Sequence, residues 1–145
     1  MTEDKAWKLK EPLHDKGIPF YQLSHYYSVA ERAGRTNKSE KFRDDCFTVG
    51  LLHDVVEDGY FSFEEIKEAA NLNEEQLCAL AAITRDQHEQ YFKYIERVSK
   101  CEIARKVKLA DLADNIFRCA LNFPASISLL ERYVKAYRIL SKRKK

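Results

Sequence analysis

Residues 51–60, with the sequence LLHDVVEDGY, place one histidine and three carboxylates within six consecutive positions. His53 and Asp54 are adjacent, and Glu57 and Asp58 follow four positions after them. An imidazole nitrogen and a carboxylate oxygen suit a divalent transition ion such as Mn, Fe or Zn. Because two ligands do not complete a metal site, we expect further donors from other parts of the chain.

Two other segments carry candidate donors among apolar residues. His25 opens the stretch HYYSVAERA, where a histidine alone is more often a hydrogen-bonded core residue than a ligand. Asp111 lies within VKLADLADNIF, residues 107–117, where an ionised carboxylate needs a partner and a metal ion is one suitable partner. Asp114 shares the helix face of Asp111, so spacing alone does not choose between these two carboxylates.

The elements that must position these side chains are predicted to be helices. The chain of 145 residues contains only four Gly and three Pro, and no segment alternates in the manner of a strand. We expect a short first helix, followed by a loop that includes Pro12. In an all-α chain, further helices are predicted over residues 21–33, 42–56, 87–99, 102–118 and 126–142.

Capping patterns predict two more helices. Ser62 is followed three residues later by Glu65, and Asn73 is followed at the same spacing by Gln76. In such a pair each side chain accepts the backbone N–H of the other residue, which satisfies two donors at a helix start. We therefore expect helices to begin immediately after Ser62 and Asn73.

The composition limits the partners and the location of the protein. The 25 Lys and Arg residues nearly balance the 23 Asp and Glu residues, which argues against a broad nucleic-acid-binding face. No apolar run approaches the ~20 residues that cross a bilayer, and the first residues lack the apolar core of a signal peptide. Three of the four cysteines have apolar neighbours, so we expect buried free thiols and a cytoplasmic protein.

Three motifs carry a resemblance to a known family. HYYSVAERA is similar to H-P-x-x-V-A, GLLHDVVEDGYFSFEEI is similar to A-L-L-H-D-x-V-E-D-T with the helix that follows it, and VKLADLADN is similar to K-L-A-D-x-x-x-N. In this order they resemble the HD-domain metal-dependent phosphohydrolases, and among these the RelA/SpoT-type alarmone hydrolase domain. The similarity spans about residues 14–118. Tyr26 stands where the motif has proline, and Gly59 stands where it has threonine.

The resemblance implies a single HD-domain helical bundle over residues 1–145, with a motif core at about 14–118 and a basic C-terminal helix and tail at 126–145. It also implies one divalent metal ion, with Mn expected and Mg, Fe, Zn, Ni or Co as alternatives. The residues that match the family's metal ligands are His25, His53, Asp54 and Asp111.

The resemblance further implies a hydrolase that removes the 3′-pyrophosphate from guanosine tetra- or pentaphosphate. Glu57 and Asp58 match the acidic pair that orients and activates the attacking water. Asn115 matches a residue placed near the metal and the sugar or phosphate of the nucleotide. The roles are chemically consistent, because a divalent ion lowers the pKa of a bound water and nearby carboxylates can accept its proton.

Basic residues around the motifs are candidate substrate contacts. Lys16 stands near the position of a family arginine that contacts the guanine base, although lysine cannot stack on a base as a guanidinium does. Arg85 and Arg97 are candidate phosphate ligands, with a solvated charged face as the alternative. Lys108 is a further candidate, with an ion pair to one carboxylate of the acidic pair as its alternative role.

Two other classes of function remain open. One is an HD phosphohydrolase that acts on a different nucleotide or phosphoester. The other is a catalytically silent HD module that binds a nucleotide or a protein partner. The expected partner is a small-molecule nucleotide, not a nucleic acid or a membrane, and the sequence is compatible with both a monomer and a homodimer.

Overall fold

A computed structural model of the chain describes residues 1–121 and 127–142. These two ranges contain eight helices and no strand, so the prediction of an all-α chain is confirmed. None of the eight is long and apolar enough to cross a membrane. In chain order the helices are α1 (Glu3–Asp15), α2 (Phe20–Ala33), α3 (Glu40–Leu52), α4 (Phe63–Ala69), α5 (Glu74–Ile83), α6 (Tyr91–Val98), α7 (Glu102–Leu121) and α8 (Ile127–Ser141).

The starts of α4 and α5 follow from their capping sequences. The Ser62 hydroxyl accepts the backbone N–H of Glu65, and the Glu65 carboxylate accepts the backbone N–H of Ser62, both at 3.1 Å. Asn73 and Gln76 form the same reciprocal pair, at 2.8 and 3.1 Å. Each pair satisfies two N–H groups that have no partner within the helix. Both predicted capping boxes are confirmed.

Helices α2, α3 and α7 form the centre of the fold, and α5 and α8 pack on α7. The contact between α2 and α3 is close at Gly50, where an added Cβ atom would lie 3.0 Å from the Cα atom of Ala30. Buried side chains between the three helices include Val29, Ala33, Val49, Leu52, Val107 and Leu112. This packing places the segments that carry the candidate ligands next to one another.

The prediction of a helix over 42–56 is wrong at its C-terminal end. Helix α3 ends at Leu52, and residues 53–59 form a turn. The hydrogen bonding tightens there, because the N–H of Val55 bonds to the carbonyl of Leu52, three residues back, at 3.2 Å. The His-Asp pair therefore lies on a turn where a helix was predicted, and the acidic pair lies on the same turn.

The turn closes through backbone contacts and one glycine. The N–H of Asp58 donates to the carbonyl of Asp54 at 2.8 Å, and the N–H of Tyr60 donates to the carbonyl of Val55 at 3.0 Å. Gly59 between them has a φ of +79°, in the left-handed region that favours glycine. This backbone conformation explains why glycine stands at this position, where the family motif that the segment resembles has threonine.

The first helix is longer than predicted, because α1 continues through Pro12 to Asp15. Proline in a helix interior costs about 3 kcal/mol, since it lacks the backbone N–H and crowds the preceding turn. Leu13 is fully buried in the same turn, and burial of a leucine side chain contributes about 1.5–3 kcal/mol. The packing of Leu13 therefore offsets most of the cost of Pro12.

The remaining helices match their predictions with shifted ends. Helix α6 begins later than the predicted 87–99, because the Gln90 side chain caps it by accepting the N–H of Lys93 at 2.9 Å. Helix α7 continues beyond the predicted residue 118 to its end at Leu121. Helix α8 corresponds to the predicted C-terminal helix, whereas the end of the basic tail, residues 143–145, lies outside the described residues.

The cysteines carry free thiols, but their burial differs from the prediction. Cys46 is buried, Cys101 and Cys119 are partly exposed, and Cys78 is exposed on α5. Buried thiols were expected for three of the four cysteines, but Cys46 alone is fully buried, because an apolar neighbour in sequence does not place a side chain on the inner face of a helix. Burial raises the pKa of the Cys46 thiol to about 12.

We expect Gly50→Ala to lower the free energy of unfolding by about 1–2 kcal/mol. The added methyl group would meet backbone atoms of Ala30 and Val29, and this overpacking outweighs the better helix propensity of alanine. Urea unfolding followed by circular dichroism measures the change. The control Ala81→Leu adds more volume at an exposed position of α5 and should change stability by less than about 0.5 kcal/mol. Unchanged stability of Gly50→Ala would contradict the close α2–α3 contact.

Candidate metal centre

Four side chains from three segments of the fold converge on one point. His25 comes from α2, His53 and Asp54 come from the turn after α3, and Asp111 comes from α7. One donor atom of each residue lies within 4.8 Å of the donor atoms of the other three. His53 and Asp111 are buried, whereas His25 and Asp54 are partly exposed. The structure thus brings together all four ligands that the sequence predicted.

Each ring faces both carboxylates through the same nitrogen. Nε2 of His25 lies 3.0 Å from Oδ1 of Asp111 and 3.6 Å from Oδ2 of Asp54. Nε2 of His53 lies 3.0 Å from Oδ2 of Asp54 and 3.3 Å from Oδ1 of Asp111. The centre of the cluster is therefore surrounded by two ring nitrogens and two carboxylate oxygens.

The other nitrogen of each ring binds a group outside the cluster. Nδ1 of His53 lies 2.7 Å from the carbonyl oxygen of Gly50. Because a carbonyl only accepts hydrogen bonds, this nitrogen carries the proton, and Nε2 of the neutral ring keeps its lone pair. Nδ1 of His25 donates in the same way to Oδ2 of Asp114 at 2.6 Å. These bonds fix the orientation of both rings, as metal-binding histidines require.

Asp114, which spacing could not separate from Asp111, lies behind His25. Besides His25, its carboxylate accepts the Ser28 hydroxyl at 2.8 Å and Nε of Arg118 at 2.6 Å. The sequence analysis did not predict this group of contacts. The available signal was the spacing of four residues between Asp114 and Arg118 on one helix face. Asp114 therefore positions His25, and Asp111 faces the cluster.

One buried nitrogen in the cluster lacks a partner that a metal ion would provide. Nε2 of His53 is buried and has no hydrogen-bond partner among the described residues, although two carboxylates lie nearby. Leaving such an atom without a partner costs about 1–3 kcal/mol. A metal ion would accept its lone pair together with the other three donors. Two imidazoles and two carboxylates fit a divalent ion such as Mn²⁺, Fe²⁺ or Zn²⁺.

The electrostatics of the cluster also favour a bound cation. Burial lowers the pKa of His25, but hydrogen bonds to Asp111 and Asp54 outweigh it and raise this pKa to about 9. The same carboxylates raise the pKa of His53 well above its ordinary value against the effect of burial. Burial opposes ionisation of Asp111, yet Lys108 and the two histidines hold its pKa well below the usual range. The ionised carboxylates thus attract a positive charge, either a ring proton or a metal ion.

The acidic pair is held next to the cluster by two different groups. Oε1 of Glu57 accepts the backbone N–H of Arg85 at 2.6 Å, and Oδ2 of Asp58 accepts the hydroxyl of Tyr26. Burial raises the pKa of both carboxyl groups, and these hydrogen bonds partly oppose the shift. The charge of Asp54 raises both values further. A carboxylate with a raised pKa is a better proton acceptor near neutral pH.

Tyr26 is a contact of the site that the sequence analysis missed. Its side chain is 1% exposed, its hydroxyl donates to Asp58, and its ring meets the edge of the His53 ring at a centroid distance of 5.9 Å. Tyr26 and Asp58 are 32 positions apart, so no local spacing reveals the pair. The only available signal was the tyrosine itself, in place of the proline of the resembling motif.

Two predicted substrate contacts bind Asp111. Nζ of Lys108 lies 2.8 Å from Oδ2 of Asp111, and Nδ2 of Asn115 donates to Oδ1 at 3.1 Å. The alternative role for Lys108, an ion pair with the acidic pair, is not what the structure shows, because Asp111 lies one turn away on the same helix. Both residues hold the Asp111 carboxylate in place, and their contacts with a substrate stay predictions.

Lys16 and Arg97 are bound to other parts of the fold. The Arg97 guanidinium donates to the Glu89 carboxylate at 3.0 and 2.9 Å and to three backbone carbonyls at and just after the end of α5. The guanidinium is therefore held by the fold and does not lie on the solvated charged face that was the alternative to a phosphate contact. Nζ of Lys16 lies 4.0 Å from a carboxylate oxygen of Glu65 and 4.7 Å from the ring centre of Phe61. Substrate contacts by either residue also stay predictions.

Comparison with known proteins adds little to this description. No model of a protein family matches the chain. The chain is similar to Protein BNI1 of Saccharomyces cerevisiae, with 30% identity over 96 residues. This match covers 66% of the chain and 4% of that protein, so it does not assign the chain to a family. The fold and the site define an all-α protein with a candidate divalent-metal centre.

We expect the purified chain to bind one divalent ion, measured by calorimetric titration with Mn²⁺ and by metal content after dialysis. Saturation at 100 times the dissociation constant should raise the free energy of unfolding by about 2.7 kcal/mol. Asp111→Asn should lose both effects, because it removes a charged oxygen donor while keeping the side-chain shape. The control Asp86→Asn, at an exposed loop position, should behave as the parent chain. Equal Mn²⁺ binding by parent and Asp111→Asn would contradict the assignment.

Proposed function

We propose that the chain is a divalent-metal-dependent phosphohydrolase of the HD-domain type that acts on a nucleotide. Within that class, we propose that it removes the 3′-pyrophosphate of guanosine tetra- or pentaphosphate with Mn²⁺ as the ion. The supporting observation is that the cluster of His25, His53, Asp54 and Asp111 adjoins a separate pair of carboxylates. A site that only stores an ion has no need for a second, proton-accepting pair. The free thiols support a cytoplasmic location.

The reaction assigns separate tasks to the two groups of side chains. A divalent ion, when bound, supplies Lewis-acid activation of water and of a phosphoryl oxygen. His25, His53, Asp54 and Asp111 would hold that ion. Glu57 and Asp58 accept the proton of the attacking water, because burial raises the pKa of both groups. Tyr26 holds the Asp58 carboxylate in one orientation during this transfer.

The bonds and protons of the reaction balance without a further reactant. The water oxygen forms a bond to the phosphorus next to the ribose 3′-oxygen, and the bond between that phosphorus and the 3′-oxygen breaks. The 3′-oxygen takes up the proton that the acidic pair accepted from the water, and pyrophosphate leaves with the oxygen of that water. The cation of Lys108, 2.8 Å from Asp111, lies where it would attract the phosphoryl group towards the centre.

We expect the chain loaded with Mn²⁺ to release pyrophosphate from guanosine tetraphosphate, as measured by phosphorus NMR of the products. Glu57→Gln should reduce the turnover number by about 10²–10⁴-fold while Mn²⁺ binding is retained, because it removes a proton acceptor but no ligand. The control Glu64→Gln changes an exposed carboxylate at the start of α4 and should keep full activity.

The product distinguishes the proposal from its alternatives. Inorganic phosphate released from a nucleoside monophosphate, with guanosine tetraphosphate intact, would assign a phosphohydrolase with a different substrate. Full Mn²⁺ binding without turnover of the alarmone, the adenosine analogue or ordinary nucleoside phosphates would favour a binding module. Activity that survives in Glu57→Gln at the parent level would contradict the role of the acidic pair.

A further inference from the structure

The near balance of net charge conceals two parts of the chain with opposite charge. Residues 91–145, which include α6, α7 and α8, contain 14 Lys and Arg residues and five Asp and Glu residues. Residues 1–90, which include α1 to α5, contain 11 Lys and Arg residues and 18 Asp and Glu residues. Such a difference in charge between two parts of a chain indicates an anionic partner for the basic part. The balance over the whole chain, which argued against a nucleic-acid-binding face, therefore does not describe α6–α8.

Few carboxylates are available to neutralise the basic part. Asp111, Asp114 and Glu102 each lie at ion-pair distance from a Lys or Arg side chain already. The remaining two acids are Glu96 of α6 and Glu131 of α8, and both are exposed. The surface of α6, α7 and α8 therefore keeps an excess of positive charge.

Three of the free cations form a row along α8 and the residue that follows it. Lys135, Arg138 and Lys142 are spaced by three and four residues, so they share one side of the helix over roughly 10 Å. All three are exposed, and none has a carboxylate at ion-pair distance among the described residues. Ala136 and Leu140, which are buried, lie on the other side of the helix. The row therefore faces solvent and not the core.

The helices next to α8 widen this row. The Arg105 guanidinium, near the start of α7, donates to the carbonyl of Leu140 at 2.9 Å, so it lies beside the end of α8. Nζ of Lys135 lies 4.4 Å from the ring centre of Phe92 in α6, and the exposed Lys93 is the next residue of that helix. The resulting basic face consists of Lys93, Arg105, Lys135, Arg138 and Lys142.

The side chains of the basic face suit a double helix better than other polyanions. A basic helix that lies on a membrane needs an apolar side to enter the lipid, but Ala136 and Leu140 of α8 are buried in the fold. Proteins that bind single strands stack the bases on aromatic side chains, and none of the five side chains of the basic face is aromatic. A duplex presents one phosphate charge per about 1.7 Å of its axis, which Lys and Arg can contact without either feature.

We propose that the basic face binds the phosphate backbone of a double-helical nucleic acid without reading its base sequence. Lys and Arg contacts with phosphates position a protein on a duplex but carry no sequence information. The acidic part of the chain, α1 to α5, is repelled by the same backbone, so the chain approaches the duplex with α8 in front. This interaction needs neither a metal ion nor turnover, so it is independent of the proposed phosphohydrolase activity.

The basic face is tested by fluorescence anisotropy of a short fluorescein-labelled DNA duplex, titrated with the full chain at several salt concentrations. Each neutralised phosphate contributes about −0.9 to the slope of log K against log salt, so three to five contacts predict a slope of about −3 to −5. The triple variant Lys135→Gln, Arg138→Gln and Lys142→Gln should bind at least about 10-fold more weakly at low salt, with a slope reduced in magnitude by about 3.

A matched control separates the basic face from net charge. The triple variant Lys8→Gln, Arg32→Gln and Lys67→Gln removes the same charge from exposed positions of α1, α2 and α4. Its affinity for the duplex should stay within about twofold of the parent chain, with the same salt slope, because these positions lie outside the basic face. An equal loss of affinity in both triple variants would show attraction by net charge alone and would overturn the proposal.

Three other results would also overturn it. One is a parent chain that does not bind the duplex at low salt. Another is tighter binding to a single strand of the same length, or to vesicles of phosphatidylserine and phosphatidylcholine, which would assign the basic face to a different polyanion. The third is a salt-sensitive dimer, detected by sedimentation without DNA and lost in the α8 triple variant, which would assign the face to the acidic part of a second copy.

Discussion

The site depends on the crowding of four electron-pair donors in a small space. Two ring nitrogens and two carboxylate oxygens point at the same centre, and a positive charge among them, either a ring proton or a metal ion, offsets their crowding. Other groups of the fold must therefore orient each donor through contacts on the side that faces away from the centre. The Gly50 carbonyl holds His53, Asp114 holds His25, and Lys108 and Asn115 hold Asp111.

This requirement explains the packing of the three central helices. Helices α2 and α3 approach so closely at Gly50 that a side chain there would meet the backbone of Ala30. The carbonyl of the same glycine accepts a hydrogen bond from Nδ1 of His53. The close contact between α2 and α3 thus brings His25 towards His53. The glycine at this contact also provides the carbonyl that orients the His53 ring. Helix α7 then contributes Asp111 and Asp114 three residues apart, one facing the centre and one holding His25.

Charged side chains of both signs surround the candidate metal centre. The carboxylates of the cluster attract a metal cation, and Lys108 partly neutralises them on the side of α7. Arg85 and Arg132 face the Tyr91 ring and have no carboxylate at ion-pair distance among the described residues.

The sequence predicted the features that local spacing determines. Helical periodicity predicted an all-α chain, and reciprocal capping pairs predicted the starts of α4 and α5. The set of four candidate ligands came from the resemblance to a known family and not from spacing, and these four residues do meet in the structure. The early end of α3 was missed, because it depends on a ring-to-carbonyl bond and a tight turn rather than on periodicity.

Contacts between distant parts of the chain could not be predicted in the same way. Tyr26 with Asp58 and Arg132 with Tyr91 join residues with no fixed spacing, so they become visible only when the helices are packed. The same limit applies to Arg97, whose bonds to Glu89 and the end of α5 follow from the fold and not from a motif.

The most direct test of this account is an anomalous-scattering map from a crystal of the full chain grown with Mn²⁺ and measured on both sides of the manganese absorption edge. The account predicts one manganese peak at about 2.0–2.2 Å from Nε2 of His25, Nε2 of His53 and an oxygen of each of Asp54 and Asp111. A map with no peak between these four residues, or with manganese bound only elsewhere, would contradict it.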